Sequence, residues 1–337
     1  MEAAPGAIRP MKRPDISIAM ATYNGGRFVS EQLRSLAGQS LPPTELVVTD
    51  DGSTDGTPEL IEAFAASAPF SIRVHRNAER LGVLRNFEKA LSLCSGDIVF
   101  LSDQDDVWMP EKIAEVVAAF EAHPEALVIL NDKMITDENL VPSGSTMLAN
   151  IRGFGSPDNC FVAGCCAAFR RQWLDFALPI PEGPPAHDSW LLGLAHRLEK
   201  VRIIERPLQF YRRHSANVSQ NSYSADRKVT LLDRAKVELL GGGKTAPEAY
   251  WHTFLDWHKA EADRIRDRAA RLGIVETEDG AAQALAEIDR QVEAEKARLH
   301  IAKLPRHRRP GSVWRLWKSG GYNLFTGWKS VLKDLLR

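Results

Sequence analysis

Carboxylates gather at two places in this 337-residue chain. The stretch TDDGSTDGTPELIE over residues 49–62 carries Asp50, Asp51, Asp55, Glu59 and Glu62, and SDQDDVW places Asp103, Asp105 and Asp106 almost side by side. Three carboxylates so close repel one another unless a cation sits among them. Oxygen ligands of this kind select hard ions, Mg2+ or Mn2+, which commonly bridge diphosphates. A helix cap at Asp105 or Asp106, ahead of the helix that begins near Pro110, accounts for one of the three acids and not for all.

The first stretch invites a different reading. Counted from Asp51, acids fall at positions 1, 5 and 12 with Gly56 at 6, close to the spacing of a calcium loop. Such a loop needs a helix before it, whereas ELVVT reads as a strand, and Pro58 stands at position 8 without an amide proton. The better reading is a strand end that delivers Asp50 and Asp51 to a crevice, with Gly52 and Gly56 permitting tight turns. A carboxylate there can accept from a base N–H or a ribose hydroxyl. A solvated acidic turn is the plainer alternative.

The elements around these acids follow from apolar runs and their periods. ISIAM, ELVVT, SIRVH, DIVFLS and ALVILND read as strands, the nearly continuous apolar ones buried on both faces. Between them lie helical patterns: Val29, Leu33 and Leu36 on one face, PELIEAFAAS with Thr57 as N-cap and Pro58 at the first helical position, LRNFEKALSLC, and PEKIAEVVAAFEAHP. This alternation predicts an α/β fold with a mostly parallel sheet flanked by helices, and ligands at the C-terminal ends of the strands. Further on, FVAGCCAAF reads as a strand pair or a strand with a glycine kink, and SWLLGLAHRLE as a helix. VRIIERPLQFYRRH closes the sheet domain.

TYNGG, DDGSTDGT and SDQDDVW, in this order and at this spacing, resemble the family 2 glycosyltransferases of GT-A (Rossmann-like) fold. The third segment is similar to the family's D-x-D signature, as Asp103-Gln104-Asp105. HDSWL resembles the catalytic E-D or H-D segment, with His187 where Glu is more common. FYRRHSANVS resembles the Y-R-x-H-x-x-N-x-S segment of the rhamnosyltransferase-like subgroup. The resemblance covers about residues 15–220. It implies a nucleotide-facing turn at Thr22, Tyr23 and Asn24, a pyrimidine contact at Asp51, and Asp103 turned to ribose and sugar. It further implies metal ligation by Asp105 and by His214, and a catalytic base at Asp188. The plainer reading of Asp188 is the N-cap of the helix over 189–199. Arg212 or Arg213 could instead meet the diphosphate, and Arg212 is placed with the nucleotide-sugar set.

The implied activity is metal-dependent, inverting transfer of a sugar, with Mn2+ or Mg2+ as cofactor. L-rhamnose from dTDP-L-rhamnose is the favoured donor and a UDP-hexose the second. The acceptor is a hydroxyl of a glycan or lipid-linked glycan in surface polysaccharide assembly of the O-antigen kind. A GT-A-like protein that binds nucleotide sugar or glycan without transfer is the alternative; a pure binder would have no need of the base.

Charge separates the end of the chain from the rest. The net charge of -1 combines nine Lys/Arg against Asp334 alone from Lys303 onward with a body of about -9. In residues 322–336 apolar side chains recur at 324/325, 328, 331/332 and 335/336, an amphipathic helix after the basic RHRRP and VWRLWK. Trp with Lys/Arg beside an apolar face suits a membrane interface; packing on the same domain or in a homo-oligomer is the equal alternative. Nucleic acid is not an expected partner, since only the tail would speak for it. The four cysteines, Cys94, Cys160, Cys165 and Cys166, form neither a metal spacing nor a disulfide framework. No signal-type h-region and no apolar run long enough to span a bilayer occurs, which leads to the expectation of a cytoplasmic protein, at most peripheral on the inner membrane face. The expected organisation is a disordered lead over 1–14, a GT-A domain over 15–224, a helical region over 225–303 and a basic amphipathic tail over 304–337.

Overall fold

The computed structural model describes residues 13–215, 217, 223, 229, 248–275, 278–325 and 327–336. The expected lead over 1–14, save its last two residues, and most of 216–247 lie outside the described residues.

The apolar run ISIAM becomes β1 (Ile16–Thr22), a central strand buried along almost its whole length. It pairs in parallel with β2 (Glu45–Asp50) on one side and β4 (Ile98–Ser102) on the other, and β3 (Ser71–Arg76) completes this half as the edge. Parallel neighbours require crossover connections, supplied by α1 (Val29–Ala37), α2 (Thr57–Ala65) and α3 (Val83–Leu93). Beyond β4 the sheet becomes mixed. β8 (Ala167–Arg170) lies antiparallel between β4 and β6 (Val128–Thr136), and β6 runs parallel to β9 (Val201–Arg212). The short β5 (Val107–Trp108) pairs antiparallel with β9, and β7 (Pro142–Thr146) with β6. The full order is β3-β2-β1-β4-β8-β6-β9-β5, with β7 beside β6.

Strand alternation divides the core into two layers. Ile16, Ile18, Met20, Leu46, Val48 and Phe100 face α1, α2 and α4 (Lys112–Ala122). Ala19, Val47, Val99 and Leu101 face α3, α5 (Met147–Gly153), α6 (Arg171–Ala177) and α7 (His187–Arg197). Two local expectations differ from the outcome. FVAGCCAAF is a tight 3-10 turn at Gly164–Cys166 followed by β8, because α7 presses on the backbone there. A Cβ at Gly164 would lie 2.7 Å from His187 Nε2. At α2 the N-cap is Gly56 in the left-handed region (φ 86°), and Thr57, expected to cap, instead accepts the Gly25 amide on its hydroxyl at 2.9 Å.

The helices that follow the sheet pack on α6 and α7. α8 (Glu248–Arg264) passes through a π-helical turn, Ile265–Ala269, and packs with α9 (Glu278–Lys303). Ile265, Ala269, Ile274, Ala284 and Ile288 join the same core layer as Trp173 and Trp190. Arg264 donates to the Phe176 and Pro179 carbonyls at 3.0 and 2.7 Å. Finally α10 (Arg309–Lys318) and α11 (Trp328–Leu336) close on α9 through a small core of their own, built on Ala294, Ile301, Val313, Leu316 and Tyr322. Among the described residues no helix is long and apolar enough to cross a membrane.

Candidate active site

The turns that leave β1 and β2 are tied to each other. Thr22 is buried and donates its hydroxyl to Asp50 Oδ1 at 2.8 Å, and Asp50 Oδ2 accepts the Gly52 and Ser53 amides at 3.2 and 2.8 Å. Asn24, at φ 48°, receives the Thr54 amide on Oδ1 at 2.9 Å and gives its own amide to Ser53 Oγ at 2.8 Å. Thr22 and Asn24 therefore build the turn, and of the three residues expected to face a nucleotide it is Tyr23 that shows a ring, 39% exposed with the Arg80 guanidinium 4.0 Å from its centroid. Gln104 joins this turn to the second acidic segment by a reciprocal pair, Tyr23 N–H to Oε1 at 3.0 Å and Nε2 to the Tyr23 carbonyl at 3.1 Å. The closeness requires a glycine: a Cβ on Gly25 would meet Gln104 Oε1 at 2.2 Å.

Asp51 is buried and already occupied. Its Oδ1 accepts the Leu81 amide at 2.6 Å and Asn77 Nδ2 at 3.1 Å, and Oδ2 accepts the Gly82 amide at 2.8 Å. It fastens the 77–82 loop and the start of α3 beside the crevice. Any contact to a base must share oxygens that the backbone uses.

The second acidic segment, at the end of β4, divides its three carboxylates among three tasks. Asp103 stands half-buried. Burial first, then the charges of Asp105 and Asp188, push it up to about 7 against the pull of Lys133. Asp105 Oδ2 lies 2.8 Å from His214 Nε2, with Asn217 Nδ2 at 3.4 Å, so the expected metal pair is in direct contact. Asp106 is fully buried; it accepts Gln209 Nε2 at 2.7 Å and is raised well above the usual carboxylate range, by burial and by Asp103 and Asp105. The oxygens of Asp103 and Asp106 and the Cys165 sulfur lie within 4.8 Å of one another, a second arrangement able to face a cation, and one that draws on a cysteine the sequence spacing gave no reason to include.

Arg212, expected with the nucleotide-sugar set, is turned inward. Its side chain is buried, donates from Nε to the Asp105 carbonyl at 2.9 Å, and is spent otherwise on the Glu138 carbonyl and the Glu31 carboxylate, over the Phe28 ring. The guanidinium braces Asp105 from behind.

Asp188 sits in the first turn of α7, where the helix dipole favours a carboxylate. The N-cap is Ala186, so the cap reading of Asp188 does not apply. Its Oδ1 accepts the Ser189 amide at 2.7 Å and its Oδ2 the Gly164 amide at 3.3 Å. The latter bond bends the carboxylate toward the Gly164–Cys166 turn, next to Asp103. His187 is buried against Phe87, ring centroids 4.1 Å apart, and burial lowers its basicity against the opposing charge of Asp188. It packs beside Asp188 and carries a buried Nδ1 with no partner among the described residues.

A polar layer beneath the acids was not foreseen from the sequence. Lys112 Nζ donates to the Cys165 carbonyl at 3.0 Å and to Gln209 Oε1, while lying 3.9 Å from the Trp108 ring centroid. Lys133 Nζ lies 3.7 Å from Cys165 Sγ and 3.5 Å from the Tyr211 ring centroid. Burial pulls Lys112 down to about 8 against the neighbouring thiols and acids. The two cations offset part of the repulsion among Asp103, Asp105 and Asp106. The faint sequence signal was a lysine inside otherwise apolar segments, KIAEVV and ILNDKMI.

Residues 17–176 match the family model described as glycosyl transferase family 2. The dTDP-rhamnosyl transferase RfbG of Shigella flexneri is 29% identical over 238 residues, which is 64% of this chain and 80% of that protein. The uncharacterized glycosyltransferase alr2836 of Nostoc sp. is 28% identical over 236 residues, 66% of this chain and 72% of that protein. Similar mycobacterial proteins are covered over 63% of their length. Among solved structures, S. aureus TarS 1–349 in complex with UDP superposes with a TM-score of 0.57 at 18% identity, over 95% of this chain and 89% of that one, a likeness of fold. Residues 17–176 form a glycosyl transferase family 2 domain by that match, and the enzyme that carries it is a glycosyltransferase of GT-A fold.

Proposed function

We propose that the enzyme moves a sugar from a nucleoside diphosphate to a hydroxyl of a glycan or lipid-linked acceptor, with inversion, in surface polysaccharide assembly at the inner face of the membrane. The observation that carries this reading is the convergence of Asp188, Asp103 and the Asp105–His214 pair at one crevice beyond the strand ends. Similarity to a dTDP-rhamnosyl transferase favours dTDP-L-rhamnose as donor over a UDP-hexose.

Asp188 takes the proton of the acceptor hydroxyl as its oxygen attacks the anomeric carbon. The bond from that carbon to the diphosphate breaks, and the diphosphate leaves with the electron pair. Tyr23 offers a ring for the base, Asp51 fixes the loop beside it, and Asp103 receives sugar or ribose hydroxyls. Asp105 and His214 fit a cation: a carboxylate oxygen and an imidazole nitrogen, 2.8 Å apart at the mouth of the crevice, would hold it together. Mg2+ or Mn2+, if bound there, would supply Lewis-acid stabilisation of the leaving diphosphate. Arg212, Gln209 and Lys133 hold these acids in position from below.

A thermal-unfolding screen of nucleotide sugars with Mn2+ or Mg2+, repeated on Asp105→Ala, tests the reading. Stabilisation by at least one donor that requires both the ion and Asp105 supports it. Absence of stabilisation by every donor overturns it.

A further inference from the structure

The last two helices use one face to grip the protein and keep a second apolar face outside. In α10, Val313 and Leu316 are buried against Ala294 and Ile301 of α9, whereas Trp314 and Trp317 point away, 65% and 44% exposed. In α11, Val331 and Leu335 pack on the same small core, whereas Trp328, Leu332 and Leu336 are exposed. Their four-residue spacing aligns Trp328, Leu332 and Leu336 in a row along one side of the helix. The single apolar stripe read from the sequence is thus divided: its inner half anchors the helices, and its outer half is left over. Isolated exposed apolar residues are ordinary, but two indoles on one helix and a Trp-Leu-Leu row on the helix packed beside it mark an interaction surface.

Charge says what covers it. Asp334, the sole acidic side chain between residues 304 and 337, is turned inward, where its carboxylate accepts from Arg298 Nε at 2.8 Å and Nη2 at 3.0 Å and from the Tyr322 hydroxyl at 2.9 Å. Arg306, Arg308, Arg315 and Lys318 are exposed. Among its described residues this stretch therefore shows indoles, leucines and cations outward, while its own carboxylate is turned inward. Indoles settle at the headgroup level of a bilayer, and Lys/Arg beside them meet lipid phosphates. Two-fold pairing of this face with the same face of a second copy would instead set like charges against each other.

We propose that the outer face of α10 and α11 docks the enzyme on an anionic lipid surface, seated in the headgroup region without crossing it. This deepens the lipid-linked acceptor reading, yet vesicle binding is measured without donor or acceptor, so the two can fail separately. The experiment is co-sedimentation of the full chain with vesicles of equimolar phosphatidylglycerol and phosphatidylcholine, and with pure phosphatidylcholine. Three versions are compared: the native chain, Trp314→Ala/Trp317→Ala/Trp328→Ala, and Arg306→Gln/Arg308→Gln/Arg315→Gln/Lys318→Gln. All seven positions are exposed, so circular dichroism and melting temperature should match across the set. The expected result is binding to the anionic vesicles alone, weakened at least about tenfold in both variants. Absence of binding to anionic vesicles, equal binding by all three proteins, or self-association in sedimentation velocity that the tryptophan substitutions abolish overturns the proposal.

Discussion

His214 Nε2 lies 2.8 Å from Asp105 Oδ2, although 109 residues separate them in sequence. The loop after β9 returns the imidazole to the end of β4, and the Arg212 guanidinium on the Asp105 carbonyl fixes the approach. If the pair holds the cation, removing either ligand should lower ion affinity at least about tenfold. Titration of Mn2+ by calorimetry on His214→Ala and Asp105→Ala checks this. Unchanged affinity in both variants would move the ion to Asp103, Asp106 and Cys165.

Asp188→Asn should slow transfer about a hundred- to ten-thousand-fold while leaving the donor dissociation constant unchanged, since the base acts on the acceptor. Single-turnover kinetics alongside donor binding separates the two quantities. Joint loss would make Asp188 a structural residue of α7.

Gly164→Ala should disturb the base more than the fold. The new methyl would lie 2.7 Å from His187 Nε2 and 3.4 Å from Asp188 Cβ, so the His187 ring or the start of α7 must shift. A fall in kcat larger than any rise in donor KM is expected, with the donor-induced thermal shift retained.

Asp51→Ala removes the acceptor for the Leu81 and Gly82 amides. Orphaning such groups costs about 1–3 kcal/mol, which urea denaturation without any ligand should register. A variant that keeps full stability and loses only donor affinity would show that Asp51 serves the nucleotide alone.

His258, on α8, is pinned between Glu261 at 3.0 Å and Glu295 of α9 at 3.2 Å. Burial alone would lower its basicity, but hydrogen bonds and charge from both glutamates outweigh it and raise the imidazole to about 9. A raised folded-state value means the stabilisation is complete below the unfolded value near 6.5 and is lost as pH rises through about 9. The whole effect is roughly 3 kcal/mol. Urea midpoints between pH 6 and pH 10 should therefore fall more steeply for the native chain than for His258→Gln; parallel curves would remove this latch between α8 and α9.

The sequence by itself determined β1–β4 and β6, helices α1–α4 and α7, and the places where carboxylates must emerge, because apolar period and turn chemistry are local properties; the short β5, β7, α5 and α6 carried no such period. Unbroken apolar runs required strands covered on both faces, and Asp103 and Asp105 followed directly from the end of β4. The ordered motifs that resembled a family located Asp188 and His214 as well. What each side chain spends its hydrogen bonds on was settled by partners far along the chain, which one sequence does not expose. Thr22 and Asn24 proved to be tied to Asp50, Ser53 and Thr54. Arg212 turned inward to Asp105 and Glu31, and Asp106, Lys112, Lys133 and Gln209 formed a buried layer spread over a hundred residues of chain. The amphipathic tail was legible as apolar and basic. Only packing on α9 decided which of its apolar residues are consumed inside and which still face outward.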